Sequence, residues 1–158
     1  MPRPRDAGPS ILVERSRRRL TLRVPGCAPR SFPVAVGRNA SADKAVEGDE
    51  ATPLGAFVVC AKNPRSRYTR SLCLTYPNAE DADRGLRAGL IDAAEHAAIH
   101  AAIRAGRMPP QTTRLGGEIY LHGGRGPDGT RGCIALDDAA IHEIFETVTL
   151  GTPVRIVP

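Results

Sequence analysis

The sequence predicts a mainly β fold, either a sandwich or a curled mixed sheet, with two or three helices. Short runs that alternate apolar and polar residues recur along the chain and are bounded by Gly and Pro, a pattern typical of strands. Most of these runs follow one another before the first helical segment, which disfavours a doubly wound α/β fold. A length of 158 residues suits one domain that buries a core of its own.

The first half of the chain contains five predicted strands. They cover residues 11–14, 20–24, 32–36, 56–61 and 69–76. The first two runs alternate apolar and polar residues and flank Arg17-Arg18-Arg19, so they are expected to form a hairpin. A polar loop over residues 39–53 follows the third strand, and a turn at residues 62–67 joins the last two.

The second half contains the helices and the closing strands. A short helix is predicted over residues 81–86 and a longer one over residues 93–104, with Asp92 as its N-cap and Gly106 as its stop signal. Residues 107–117 are expected to be irregular. The remaining predicted elements are a strand over residues 118–122, a helix over residues 139–148 capped by Asp137 or Asp138, and a strand over residues 154–157.

Residues 1–9 are rich in Pro and Arg and are expected to be disordered or tag-like, which leaves residues 10–158 as the domain. They are not followed by the apolar region of a signal peptide, so no export leader is visible in this sequence. Nor does any apolar run reach the length of about 18 residues that a transmembrane helix needs. The sequence therefore predicts no transmembrane segment.

The net charge of +5 is unevenly distributed. Residues 1–38 contain nine Arg against two acidic residues, a local charge of +7, whereas residues 39–158 contain thirteen basic and fifteen acidic residues, a charge of −2. We interpret the basic quarter as a solvated face; a small nucleic-acid-binding β domain is the alternative. Nucleic acid is not an expected partner, because the Arg residues alternate with apolar ones and only six Tyr and Phe and no Trp are available for stacking.

The cysteines and the remaining histidines show no metal-binding spacing. Cys27, Cys60, Cys73 and Cys133 form no CxxC pair, which disfavours a zinc site or a redox motif. Cys60 and Cys73 lie in neighbouring predicted strands, so they are expected either to pair as a disulfide or to remain free buried thiols. His96 and His100 are one helical turn apart, but the sequence shows no third ligand. We interpret them, like His142, as ordinary helix residues, and no metal is predicted.

A histidine and a cysteine lie in two glycine turns near the C-terminus. His122 ends a strand-like run and precedes Gly123-Gly124, and Cys133 follows Gly132 in a turn that re-enters the core. The two residues are eleven positions apart, which is enough for a loop that leaves the sheet and returns to it, so that the two side chains can meet. An imidazole that takes the proton of a thiol and stabilises the ion pair is the minimal apparatus of cysteine nucleophilic catalysis. The alternative for Cys133 is a buried structural thiol.

Backbone groups complete this candidate site. Gly132 permits close approach of a substrate, and the N–H groups of Gly132, Cys133 and Arg131 are candidate donors to an oxyanion. No acidic or Asn side chain is obviously placed to orient the imidazole. The carbonyl of Gly123 can accept the second imidazole N–H instead.

These residues resemble the catalytic domain of the L,D-transpeptidase family, the YkuD domain. The family signature is a strand ending in His-Gly, then Ser/Thr-x-Gly-Cys and an acidic-capped helix; it is matched by Tyr120-Leu121-His122-Gly123 and by Thr130-Arg131-Gly132-Cys133-Ile134-Ala135-Leu136-Asp137-Asp138. Thr52-Pro53-Leu54-Gly55-Ala56-Phe57 and Gly151-Thr152-Pro153-Val154 resemble two further strand motifs of the family. The resemblance covers roughly residues 10–158 and implies an L,D-transpeptidase-like β-sandwich.

The resemblance implies a cysteine acyl transferase that acts on peptidoglycan stem peptides. Cys133 would be the nucleophile, His122 the general base and then acid, and Gly123 the residue whose carbonyl orients His122. The oxyanion and substrate-binding set would be Gly132, Arg131, Thr130 and Tyr120. The acceptor would be an amine, from a second stem peptide or a lipoprotein lysine. No metal or organic cofactor is implied, and the implied location is the periplasm or the cell wall. Because no signal peptide is visible, a cytoplasmic location and another export route are the alternatives.

Two departures from the family pattern leave the outcome of the reaction open. The loop from His122 to Cys133 is shorter than in many members, as in a short-loop subset. A more open acceptor side is therefore expected, which leaves both an amine and water as acceptors. Arg131 stands where many members have His, and Ala135 where many have Arg, so Arg131 is expected either to bind a substrate carboxylate or to face solvent. Hydrolysis by an L,D-carboxypeptidase or amidase is the alternative activity, and a non-catalytic wall-binding module is the alternative of another class.

Overall fold

The computed structural model describes residues 8–158. The expectation of a disordered or tag-like segment at residues 1–9 therefore falls almost entirely outside the described residues, and only Gly8 and Pro9 of that segment are seen. The first strand begins directly after them, at Ser10.

The described part of the chain forms eight strands and three helices. The strands are β1 (Ser10–Glu14), β2 (Arg19–Arg23), β3 (Arg30–Ala35), β4 (Gly55–Ser66), β5 (Thr69–Leu74), β6 (Tyr120–His122), β7 (Ile134–Leu136) and β8 (Pro153–Val157). The helices are α1 (Ala79–Arg87), α2 (Ala93–Arg104) and α3 (Asp138–Thr147).

The strands form a curled mixed sheet that closes on itself. Their spatial order is β1-β2-β3-β7-β6-β5-β4-β8, and β8 returns to β1. The pairs β1–β8 and β6–β7 are parallel and the others are antiparallel. The prediction of a mainly β fold with curled mixed sheets and up to three helices is confirmed. The two curled layers share β3 and β4, so the sandwich is joined along both sides into one barrel.

The barrel interior holds the main hydrophobic core. Alternate residues of β1 and β8 point inward, because side chains of a strand alternate between its two faces. Helix α3 covers the barrel with Ile141, Ile144 and Phe145. A second, smaller core lies between α1 and α2 and contains Ala82, Ile91, Ile99 and Leu115.

The hairpin of β4 and β5 is longer than the sequence predicts. The turn expected at residues 62–67 is instead the end of β4, which stays paired with β5 as far as Ser66 and Thr69. The ladder is irregular between Asn63 and Ser66, and Pro64 lies in that interval, where a residue without an N–H group is tolerated. The real turn is therefore only Arg67-Tyr68, which places Tyr68 at the tip of the hairpin.

The two acidic residues at the start of α3 do not cap it in the predicted way. Asp137 occupies the N-cap position but its side chain makes no capping hydrogen bond, and it pairs with Arg125 instead. Asp138 accepts the N–H of Gly124 at 2.9 Å. The two carboxylates thus hold the glycine loop that follows β6. By contrast, Asp92 caps α2 as predicted and forms a capping box with Glu95.

Of the two alternatives for Cys60 and Cys73, the structure shows free thiols. Cys60 lies at a register shift of β4, and its Sγ donates to the carbonyl oxygen of Cys73 at 3.4 Å. Among residues 8–158, no helix combines the length and the apolar character needed to cross a membrane.

Candidate active site

The strand register brings His122 and Cys133 to the same region of the barrel. Strand β6 pairs in parallel with β7, with Leu121 opposite Ile134 and His122 opposite Ala135. Cys133 directly precedes β7, so continuation of this register sets it beside Tyr120, two residues before His122. Because residues i and i+2 of a strand share a face, Tyr120, His122 and Cys133 lie on one face of neighbouring strands.

A cavity of about 470 Å³ adjoins this face. On the other side of β6, Ser71 pairs with His122 and Cys73 pairs with Tyr120, and these four residues line the cavity. The hairpin tip and the segment after α2 complete the lining with Arg67, Tyr68 and Met108, among others. The cavity thus starts at His122 and extends from β6 towards the β4–β5 hairpin.

The ring of His122 is fixed by the backbone of the next residue. Its Nδ1 lies 2.6 Å from the carbonyl oxygen of Gly123. A carbonyl only accepts, so this contact assigns the proton to Nδ1 and leaves Nε2 as the unprotonated nitrogen of the neutral ring. His122 is only 8% exposed. The arrangement supplies a base at Nε2 without any acidic side chain.

Only a glycine fits at position 123. A Cβ there would lie 2.6 Å from Asp138 Oδ1 and 2.7 Å from the carbonyl oxygen of Tyr68. The N–H of Gly123 also donates to that Tyr68 oxygen at 2.9 Å. The His-Gly pair is therefore dictated by a close approach between the end of β6, the hairpin tip and the start of α3.

We expect Gly123→Ala to destabilise the protein by about 1–3 kcal/mol, the usual cost of overpacking. The added methyl group pushes against backbone and carboxylate oxygens, so the carbonyl that holds His122 is displaced and catalytic turnover falls as well. Thermal unfolding and turnover are the measurements. Gly126→Ala is the matched control, since a Cβ there meets nothing within 4 Å; equal stability and turnover of the two variants would contradict the prediction.

Tyr68 covers His122 and was not predicted from the sequence. The two rings stack with centroids 4.4 Å apart and an interplanar angle of 27°. Tyr68 stays 44% exposed, so it forms a wall between the imidazole and solvent. The misplaced turn concealed this role: with a turn spread over residues 62–67, nothing marks Tyr68 as the tip of a hairpin that reaches β6.

The thiol of Cys133 donates to the backbone in this structure. Its Sγ lies 3.2 Å from the carbonyl oxygen of Glu118, and no hydrogen bond joins it to His122 among the described residues. Glu118 has φ 56°, in the left-handed region that a non-glycine residue rarely adopts. This conformation turns its carbonyl towards the thiol, and the sequence contains no signal for it.

The turn before Cys133 is held by two threonines. The hydroxyl of Thr52 accepts the N–H of Gly37 and donates to the carbonyl of Gly132, both at 2.8 Å. Thr130 Oγ1 donates to the carbonyl of Cys133 at 2.6 Å and accepts the N–H of Gly132 at 3.0 Å. The Thr-Pro motif is the sequence signal that could have linked Thr52 to this turn.

This bonding distinguishes the three candidate oxyanion donors. The N–H of Gly132 is engaged by Thr130. Within residues 8–158, the N–H groups of Arg131 and Cys133 have no acceptor. The side chain of Arg131 is exposed and makes no ion pair with another described residue. Two backbone N–H groups and one guanidinium, all within two residues of Cys133 in the chain, therefore have no partner among residues 8–158.

Burial keeps both candidate groups uncharged at neutral pH. Desolvation raises the pKa of the Cys133 thiol, an effect opposed by the Tyr120 backbone N–H and the Lys44 ammonium and reinforced by Glu118. Desolvation also lowers the pKa of His122 below 6.5. The hydrogen bond to the Gly123 carbonyl raises this pKa, but its effect is the smaller of the two. The resting site is a neutral thiol and a neutral imidazole, which differs from the ion pair that the sequence suggests.

The rate of alkylation of Cys133 by iodoacetamide should therefore increase with pH only as the thiol ionises, and burial raises the pKa of that ionisation. We expect a rate at pH 7 below that of an unperturbed thiol and a midpoint above about 8.5, the ordinary cysteine value. The rate is measured by mass spectrometry against pH in Cys27→Ala, because Cys27 is exposed and would react as well. A midpoint below pH 7 would show a preformed ion pair instead.

Comparison with known families decides the identity of the fold. The family model of the L,D-transpeptidase catalytic domain, YkuD, matches residues 8–156. The chain belongs to the YkuD family. The resemblance seen in the glycine turns is thereby confirmed over nearly the whole domain, and a search of curated proteins finds no match.

Solved structures similar to this YkuD domain share its fold at low sequence identity. Pgp2 from Campylobacter jejuni, a helical cell shape determining protein, is 22% identical with a TM-score of 0.63, over 94% of this chain and 47% of that one. Bd1075 from Bdellovibrio bacteriovorus is 19% identical with a TM-score of 0.60, over 96% and 48%. The L,D-transpeptidase from Mycobacterium smegmatis is 16% identical with a TM-score of 0.57, over 96% and 59%. The chain spans about half the length of the first of these proteins.

Proposed function

We propose that this YkuD domain is a cysteine acyl transferase that acts on peptidoglycan stem peptides. One observation carries the proposal: His122 is held by Gly123 with its Nε2 free, on the strand face next to Cys133. Family membership supports the substrate class. The periplasm or the cell wall is the corresponding location.

The first half of the reaction forms a thioester. Cys133 Sγ attacks the carbonyl carbon of the peptide bond before a terminal D-alanine, and the thiol proton passes to His122 Nε2. The oxygen of the attacked carbonyl becomes negatively charged, and the backbone N–H groups of Cys133 and Arg131 stabilise it by donating hydrogen bonds. When the C–N bond breaks, His122 returns the proton to the leaving amine. The products are D-alanine and an acyl group on Cys133.

The present position of the thiol corresponds to the resting state of this cycle. Cys133 Sγ donates to Glu118 rather than to His122. The cycle requires Cys133 Sγ to leave the Glu118 carbonyl and to reach His122 Nε2 before the proton is transferred. Catalytic hydrogen bonds are often long in free enzymes and shorten when substrate binds.

The substrate is anchored by its carboxylates. Stem peptides carry a C-terminal carboxylate, and Arg131 is an exposed guanidinium two residues before the nucleophile. A guanidinium binds a carboxylate through two parallel hydrogen bonds. Within the cavity, Tyr120 and Tyr68 supply flat apolar walls.

The second half of the reaction passes the acyl group to an acceptor. Residues 124–128, between the two turns, are exposed, so the thioester is open to an amine of a second stem peptide, to a lipoprotein lysine or to water. Attack by an amine restores a peptide bond and makes the protein a transpeptidase. Attack by water releases a free acid and makes it an L,D-carboxypeptidase or amidase, the second candidate activity.

Product analysis separates these outcomes. Purified tetrapeptide muropeptides are incubated with the protein, with and without a competing primary amine, and the products are identified by mass spectrometry. Transpeptidation predicts a cross-linked or amine-adducted product with loss of one alanine, whereas hydrolysis predicts the tripeptide alone. Unchanged tetrapeptide under both conditions, with binding to sacculi retained, would support the wall-binding module instead.

A further inference from the structure

We propose that Asp83, His96 and His100 form a binding site for a divalent transition-metal cation such as Zn²⁺. The site lies between α1 and α2 and shares no residue with the Cys133 site. The sequence shows a histidine pair without a third ligand; the third ligand comes from the other helix, where Asp83 faces both rings.

The three side chains converge on one point. His96 Nε2 lies 2.7 Å from Asp83 Oδ1, and His100 Nε2 lies 2.8 Å from the same oxygen. The three ligand atoms all lie within 4.8 Å of one another. Around a tetrahedral Zn²⁺ with bonds of about 2.0–2.2 Å, ligand atoms are about 3.3 Å apart. A shift of less than about 1 Å in each flexible side chain therefore admits the ion.

The donor set suits a transition metal. Two imidazoles and one carboxylate bind Zn²⁺, Ni²⁺ or Cu²⁺, whereas Mg²⁺ and Ca²⁺ prefer oxygen ligands only. Among residues 8–158, Asp83 makes side-chain hydrogen bonds only to these two rings. The side chains of His96 and His100 are 27% and 26% exposed, so the site is sheltered but open to an ion from solvent.

The backbones that carry the ligands are already fixed. Ala82, next to Asp83, and Ile99, next to His100, are fully buried in the small core between the helices. Both helices begin with a capping box, formed by Asn78 with Asp81 and by Asp92 with Glu95. Fixed backbones reduce the ordering that binding costs, which favours affinity. The ion should also stabilise the folded protein, because the unfolded chain does not hold the three ligands together.

The test is calorimetric titration of the reduced full chain with ZnCl₂, alongside thermal unfolding with and without Zn²⁺. We expect one equivalent to bind to the wild type and to raise its melting temperature. Loss of a ligand in His96→Gln or His100→Gln should weaken binding at least about tenfold, since even outer-shell changes cost 10–100-fold. Asp83→Asn should weaken binding in the same direction.

Two control variants make the result specific to this cluster. His142→Gln changes a histidine on α3 and should leave the affinity unchanged, as should Cys27→Ala, which removes the exposed thiol. Circular dichroism verifies that each variant is folded. Absence of saturable binding by the wild type, equal affinity of His96→Gln and wild type, or loss of binding in Cys27→Ala would each overturn the proposal.

Discussion

Cys133→Ala should abolish acyl transfer. Removal of Sγ leaves no atom that can form the thioester, and loss of a nucleophile that acts together with its base costs at least about 10³-fold in kcat. The fold should persist, because Cys133 lies in the turn before β7 and its thiol contacts backbone groups, such as the Glu118 carbonyl, that belong to elements held by other bonds. Turnover of a tetrapeptide muropeptide and the melting temperature are the two measurements.

A covalent probe ties this loss to the thiol itself. Imipenem is a β-lactam, and a reactive thiol can open its strained amide carbonyl to form a thioester. We expect imipenem to form a single adduct with this protein, visible as an increase in intact mass, and Cys133→Ala to form none. Cys27→Ala is the matched control because it removes an exposed cysteine that is distant from Cys133 in the sequence. An adduct that persists in Cys133→Ala and disappears in Cys27→Ala would refute the assigned nucleophile.

His122→Gln should reduce kcat by about 10²–10⁴-fold, the range for removal of a general base. A glutamine side chain has no atom that takes up a proton at neutral pH, so the thiol must ionise without help. Burial raises the pKa of that thiol, which leaves little thiolate at pH 7. The loss should therefore appear in kcat rather than in binding of the stem peptide.

The pH profile distinguishes a base from a merely structural residue. In the wild type, kcat/KM should fall on the acid side as Nε2 is protonated, with a midpoint below 6.5 because burial lowers the pKa of His122. In His122→Gln that limb should vanish, and the rate should rise with pH up to the thiol pKa. His142→Gln, on α3, should retain the wild-type profile. An unchanged acid limb in His122→Gln would assign the base to another residue.

Much of the fold could be predicted because its signals are local. The strands at residues 11–14 and 154–157 alternate between the two faces of a sheet, and α2 begins at an N-cap with a capping box at Asp92 and Glu95. The glycine turns around His122 and Cys133 were visible for the same reason. The error at residues 62–67 arose because Pro64 favours a turn locally, whereas pairing with β5 extends the strand.

The contacts that finish the site come from segments far apart in the chain. Tyr68 reaches His122 from a hairpin tip, Thr52 reaches Gly132 across 80 residues, and Asp83 reaches His96 from another helix. No local pattern encodes such contacts, because each depends on the register of the closed barrel or on the packing of α1 against α2.

By itself, the sequence determined which residues are chemically able to act. Glycines beside His122 and Cys133, apolar periodicity and capping residues are properties of neighbours in the chain, and they specify local backbone shape and reactive groups. Only the tertiary structure decided which nitrogen of His122 is free, that the thiol rests on Glu118, and that both groups are uncharged. Burial and long-range hydrogen bonds set protonation, and these exist only after the barrel has closed.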